Sequence, residues 1–229
     1  MVPGGARIFE RIYTRLGCQS RPPQFLVEFY PYANLVHTMR LKEDVAQVRL
    51  SDALRGAPLP VMEAAAAILL ARLYRRRTPR ELALIYRRYV ASATTRRRVA
   101  KLRGRRGRRV EGSPRGEIYD LAAMFTRLNR RYFGGRLHRP RLGWSGRAWR
   151  SQYGCFDPAL DQIVMNRRLD RVAVPRYTVE YVLFHEMLHV KHPLRAAHCG
   201  VEAHSKEFRQ EEQRYAHYDR ARRYLDRLA

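Results

Sequence analysis

YTVEYVLFHEMLHVKH, residues 177–192, is the stretch on which the reading of this chain turns. It is strongly apolar and holds no helix breaker between Val179 and Lys191. It therefore predicts a helix over residues 178–191, ended by Pro193. Inside it stands HEMLH, with His185 and His189 four residues apart. Positions four apart share one helix face, so both imidazoles can reach a single metal ion. Glu186 sits beside them, placed to take a proton from a water that the metal acidifies and to hand it to a leaving amine. With 8 His and 13 Glu in 229 residues, chance alone puts an HExxH in roughly one such chain in sixty. The surroundings add weight, because polar His and Glu side chains inside an apolar helix are costly unless something binds them.

A third ligand has to come from downstream. A His ten residues after His185 would complete a metzincin-type HExxHxxGxxH, but that residue is Arg195. His192, His198, Glu202 and His204 remain. His192 competes with His189 on the same turn and precedes Pro193. His198 lies in the loop AAHCG and stays open as a ligand. His204 opens the last helix, in HSKEF, and the rigidity of a packed helix end favours it.

Composition sets the outer limits. The chain carries 46 Lys and Arg against 21 Asp and Glu, a net charge of +25, and is 45% hydrophobic. That is enough apolar material for a core, which excludes a disordered chain. The longest apolar run, residues 64–71, is too short to cross a bilayer. Residues 1–17 lack the apolar stretch of a signal peptide. The cysteines, Cys18, Cys155 and Cys199, are scattered without a CxxC, against both a disulfide framework and a Cys-based zinc site. A cytoplasmic protein without a membrane partner is the expectation. The positive charge is uneven: residues 1–116 hold 25 basic and 8 acidic residues, and residues 117–229 hold 21 and 13. Such a surface attracts polyanions, nucleic acid first among them.

Along the N-terminal region, QFLVEFY, NLVHTMRL and DVAQVRL predict a three-stranded meander over residues 24–50. Residues 60–74 predict a helix opened by Pro60. Residues 79–91 predict a second, with Thr78 as its cap, Glu81 completing a capping box, and Leu82, Ile85, Tyr86 and Tyr89 on one face. From residue 96 to 109, nine of fourteen residues are basic. Charges this dense repel, so residues 96–116 are expected to be a linker: either a solvated spacer or an arm tracking phosphates through Arg96, Arg97, Arg98, Lys101, Arg103, Arg105, Arg106, Arg108 and Arg109. Beyond it, residues 117–133 predict an amphipathic helix stopped by Gly134 and Gly135. RLGWS, AWRSQYGCF and DQIVMN predict short strands, and residues 205–228 a final helix. Trp144 and Trp149 are expected to pack in the core. Tyr215, His217 and Tyr218 lie where one of them can approach a developing oxyanion. No internal repeat is visible.

Four pieces of the second half resemble, in order, the SprT-like zinc metalloprotease domain, with its YgjP-type and Spartan-type relatives. LNRRYFGGRL is similar to the end of that family's first helix, YGCFDPALDQIVMNRRLD to its hairpin, HEMLH to its metal helix, and HSKEF to the later segment whose His is the third zinc ligand. The resemblance covers residues 117–229 and implies Zn²⁺ held by His185, His189 and His204, with Glu186 as general base and a protein or peptide as substrate. The zinc ribbon that follows the domain in some members has no counterpart, so only the peptidase core is implied. The resulting expectation is an α+β fold. It combines a zincin-like SprT-type core, a small antiparallel sheet packed on the HExxH helix, with an N-terminal strand-and-helix region. The expected divisions are an accessory region over 1–95, a basic flexible linker over 96–116 and a metallopeptidase domain over 117–229. The alternative is a non-catalytic nucleic-acid-binding protein with a structural zinc site.

Overall fold

Alternating apolar and polar residues in QFLVEFY and VAQVRLS form strands β1 (Gln24–Tyr30) and β3 (Val45–Ser51), which bury Phe25, Val27, Ala46, Val48 and Leu50. The structure, a computed structural model, describes every residue except 1, 19, 111–112, 193–194, 198–199, 203 and 229, and only the backbone of 195–197 and 200–202. The described chain is α+β and divides into two compact units. One comprises Met1–Gly107 with Ala196–Val201, the other Arg108–Arg195 with Glu202–Ala229. Among the described residues no helix is long and apolar enough to cross a membrane.

In the first unit the three strands are not a meander. β1 pairs parallel with β3, and β2 (Thr38–Lys42) pairs antiparallel with β3, giving the order β1-β3-β2. The most buried strand, β3, takes the centre, and the largely exposed β2 takes an edge. Helix α1 (Gly5–Arg15), not anticipated from the sequence, buries Phe9, Ile12 and Tyr13. Helix α2 (Leu59–Leu73) is buried over most of its circumference, including Ala64, Ala65, Ala66 and Ala67. Helix α3 (Arg80–Ala91) turns Leu82, Ile85, Tyr86 and Tyr89 to the core, as its spacing predicts. Its N-cap is Pro79, so the expected Thr78 cap is not made. The basic segment is corrected more substantially: Ala93–Arg106 is helix α4, begun by Ser92, whose Oγ accepts from Thr95 N at 3.3 Å. The division between units falls after Gly107, so most of the expected linker belongs to the first unit.

In the second unit Asp120 caps helix α5 (Leu121–Phe133), its Oδ1 accepting from Ala122 N at 2.8 Å and Ala123 N at 3.1 Å, and Gly134 ends it at φ 61°. Strands β4 (Arg141–Trp144), β5 (Gly154–Asp157) and β6 (Gln162–Met165) form a mixed sheet, not an antiparallel one. β4 is parallel and β5 antiparallel to the central β6. Helix α6 (Arg176–Lys191) carries HEMLH and buries Val179, Val182, Leu183, Phe184, Met187 and Leu188 in the core with Leu121, Phe125, Ile163 and Met165. The backbones of β7 (Arg195–Ala197) and β8 (Gly200–Glu202) pair with each other. The expected last helix is two: α7 (Lys206–Glu212) and α8 (Tyr218–Leu228). Between them Tyr215 is buried and its hydroxyl donates to Tyr177 O at 2.9 Å, which a continuous solvent-facing helix would not provide.

The two units share a topology that the sequence conceals. α1-β1-β2-β3 leads through a 3-10 turn (Asp52–Leu54) and Pro58 into α2. α5-β4-β5-β6 leads through a 3-10 turn (Arg167–Leu169) and Pro175 into α6. Strand order and strand directions are the same in both sheets. Each 3-10 turn is capped by a side chain, Ser51 in one and Asn166 in the other. With Pro58 set against Pro175, Ile68, Leu69 and Arg72 stand where His185, Glu186 and His189 stand.

Candidate metal centre

Helix periodicity places His185 and His189 on one face of α6, with ring centroids 5.0 Å apart. His204 joins them from the segment before α7, which starts where Ser205 Oγ accepts from Phe208 N at 3.2 Å. Its Nε2 lies 3.2 Å from Nε2 of His185 and 3.2 Å from Nε2 of His189. Ligand nitrogens 2.0–2.1 Å from a tetrahedral ion are separated by about 3.3 Å, so the spacing fits. Among the described residues this is the one cluster of three or more metal-ligating side chains. Phe208, fully buried, packs its ring against all three imidazoles at 4.7 to 5.2 Å. The hydrophobic residue of HSKEF thus fixes the orientation of the rings.

Protonation is set by neighbours. His185 Nδ1 donates to Glu212 Oε1 at 2.6 Å, and Tyr181 donates its hydroxyl to the same oxygen at 2.8 Å. Burial alone would raise the Glu212 carboxyl, but the hydrogen bonds from His185 and Tyr181 hold it below the usual carboxylate range. A carboxylate there keeps the His185 proton on Nδ1 and leaves the Nε2 lone pair for the centre. Burial, with His185 and His204 nearby, lowers His189 to about 4. Burial and His185 lower His204 as well. Converging lone pairs repel one another unless a cation lies between them, so the donor set fits a metal of the imidazole-binding kind, zinc included.

Glu186 is 6% exposed, and its Oε2 accepts from Phe156 N at 2.8 Å. Burial raises its carboxyl to about 7, against the lowering effects of His185 and of the Phe156 N–H. Gly154 makes room for it: a Cβ there would stand 2.8 Å from Oε1 and 2.9 Å from Cγ. β5 is an edge strand, and Phe156 presents its N–H away from β6, so Gly154, two residues earlier, faces the same side. A cavity of about 680 Å³ opens over His185, Glu186 and His204, lined further by Tyr153, Gly154, Tyr218 and Arg222.

All four residues expected at the site from the sequence, His185, Glu186, His189 and His204, are therefore gathered in one place. His192 is turned to Glu211, 3.1 Å away, and is not part of the cluster. His198 and the side chain of Glu202 lie outside the described residues. Tyr215 and His217 pack against Tyr177, and Tyr218 alone of that group lines the cavity. Trp144 packs on the core. Sequence reasoning missed Glu212, Tyr181 and Gly154. Glu212 carries a recognisable signal, because it lies one helical turn after Phe208 and so shares its face.

The chain matches no family model, no curated protein and no solved structure.

Proposed function

We propose that this chain is a zinc-dependent metallopeptidase of the SprT-like kind, with a zincin-like core in its second unit, acting on protein or peptide substrates in the cytoplasm. The observation that carries the reading is the approach of His204 Nε2 to 3.2 Å of Nε2 of both His185 and His189, with the buried Glu186 lining the same open cavity as His185 and His204. His185, His189 and His204 would hold the ion, which when bound polarises the scissile carbonyl and acidifies water. Glu186 accepts the proton of the attacking water at its carboxylate and delivers it to the departing amine nitrogen. A carboxyl raised to about 7 is suited to both transfers near neutral pH. The Phe156 N–H holds the carboxylate in place between them. Glu212 keeps His185 in the donor tautomer. An extended substrate is positioned by adding its backbone to the open edge of β5, next to Glu186.

The non-catalytic alternative, a structural zinc, fits less well. Structural sites are closed by four protein ligands, whereas among the described residues this cluster offers three and faces a cavity. The deciding experiment is metal analysis of the purified chain together with cleavage of an unfolded protein substrate. The expected result is one zinc per chain, turnover abolished by chelation, and turnover abolished by Glu186→Gln with zinc retained. A chain that takes up no zinc, or cleavage indifferent to Glu186→Gln, overturns the reading.

A further inference from the structure

Helix α4 divides its basic residues into two sets. Arg98 Nη1 donates to Ala53 O at 3.1 Å and Arg55 O at 2.7 Å, and Arg106 pairs with both carboxylate oxygens of Asp52 at 2.8 and 2.9 Å. These contacts tie α4 to the 3-10 turn behind β3. Arg96 and Arg103 are engaged as well. Arg97, Lys101 and Arg105 are exposed and make no hydrogen bond or ion pair among the described residues. Spaced by four, they form one row along the helix, spanning about 12 Å at 1.5 Å per residue. No acidic residue occurs in α4, and Thr95 is its only buried side chain. Like charges in a row at this spacing oppose the helix, and nothing among the described residues pairs with them. The unit around them is itself basic, with 22 Lys and Arg against 7 Asp and Glu in residues 1–107.

We propose that α4 is a docking rod for the phosphate backbone of a nucleic-acid duplex, contacted by Arg97, Lys101 and Arg105, while Arg98 and Arg106 fasten the rod to its unit. Charge complementarity identifies the class of partner. The choice of duplex follows from what α4 lacks. It carries no Phe, Tyr or Trp, so it has neither the stacking platform that holds single strands nor the aromatic anchors of a helix that lies in a bilayer surface. A rigid row of cations suits the fixed phosphate spacing of a duplex, and the binding is independent of base sequence. The inference stands apart from the peptidase reading, since its test measures binding alone.

The test is fluorescence anisotropy of the full chain with a mixed-sequence DNA duplex of two helical turns, titrated over a range of salt. In the Arg97→Gln/Lys101→Gln/Arg105→Gln variant the slope of log K against log salt falls by about 2.7, so the loss of affinity between about 50 and 200 mM salt shrinks by about 40-fold. Circular dichroism of this variant should remain that of the parent. The control variant Arg136→Gln/Arg139→Gln/Arg150→Gln removes the same charge from exposed positions elsewhere and should leave the slope within one unit of the parent. An equal fall in the control, no duplex binding by the parent, an unchanged slope in the α4 variant, or tighter binding to the single strand or to anionic vesicles than to the duplex would each overturn the proposal.

Discussion

Replacing Glu212 tests whether the imidazole cluster is organised for a metal. Glu212 holds His185 Nδ1 at 2.6 Å and the Tyr181 hydroxyl at 2.8 Å on one oxygen, with a side chain that is 12% exposed. Glu212→Ala frees the His185 ring to turn and to move its proton to Nε2, where it would block the donor. Loss of such an outer carboxylate weakens metal binding by about 10–100-fold, or about 1.4–2.7 kcal/mol. Glu212→Gln keeps an acceptor oxygen but removes the charge. Charge-assisted bonds are roughly twice as strong as neutral ones, so about half that energy remains and the loss is roughly 3–10-fold. Tyr181→Phe removes one of the two bonds that position the carboxylate and falls at or below the Gln variant. Competition with a chromophoric chelator measures zinc affinity in all three, and circular dichroism verifies that each is folded. An order Glu212→Ala, Glu212→Gln, Tyr181→Phe of diminishing loss is expected. Affinity within twofold of the parent in folded Glu212→Ala would refute the assignment of His185 Nε2 as a ligand atom.

Three further outcomes are expected. His204→Ala loses stoichiometric zinc, read by elemental analysis; zinc retained in that variant moves the third ligand to His198. Gly154→Ala drives a methyl group against Glu186 and lowers kcat by at least tenfold, which corresponds to about 1.4 kcal/mol of barrier, while zinc content stays at one per chain. Finally, His37 is neutral in the folded chain: its Nδ1 accepts from Ser51 N at 3.0 Å, its Nε2 donates to the Tyr86 hydroxyl at 2.7 Å, and burial lowers it to about 4. The unfolded chain, with a His near 6.5, binds more protons between those values. Stability from this group is therefore full above about pH 6.5 and falls by about 3 kcal/mol as pH drops to 4. Urea titrations across that range should show this slope, and His37→Gln should flatten it; an unchanged slope in the variant removes His37 as its source.

What the sequence made legible was periodic and local. The four-residue step of His185 and His189, the amphipathic face of α5, and the alternation in β1 and β3 are each contained within one element. The pairing of strands is not, and a meander was the simplest connection to assume. It fails because the third strand of each set, β3 or β6, and not the second, takes the centre, where it is the most buried of the three. The basic segment was misread through an overestimate of repulsion. Like pairs four apart cost only about 0.2–0.5 kcal/mol each, while Arg, Ala and Leu are good helix formers and Arg98 and Arg106 supply tertiary anchors. Glu212 offers the sequence only its place on the Phe208 face, and Gly154 offers nothing, for a different reason. They reach His185 and Glu186 from other elements, and no motif records such a meeting.

The repeated topology explains how one chain holds both an apolar and a polar version of the same helix. In the first unit α2 fills its place with Ile68 and Leu69 where α6 has His185 and Glu186, and it buries alanines and leucines without any polar group to satisfy. That is the lower-energy solution for a helix laid on a sheet, since each buried His or Glu forgoes hydration and has to find partners inside the protein. α6 departs from it at three positions, and every departure is matched from elsewhere in its unit: Glu212 for His185, Phe156 N–H for Glu186, and His204 for the shared centre of His185 and His189. A scaffold that folds around Ile68 and Leu69 does not require the histidines. Their presence in α6, with a carboxylate and a strand amide aimed at His185 and Glu186, is therefore an expense that packing alone does not account for and that the proposed metal site would.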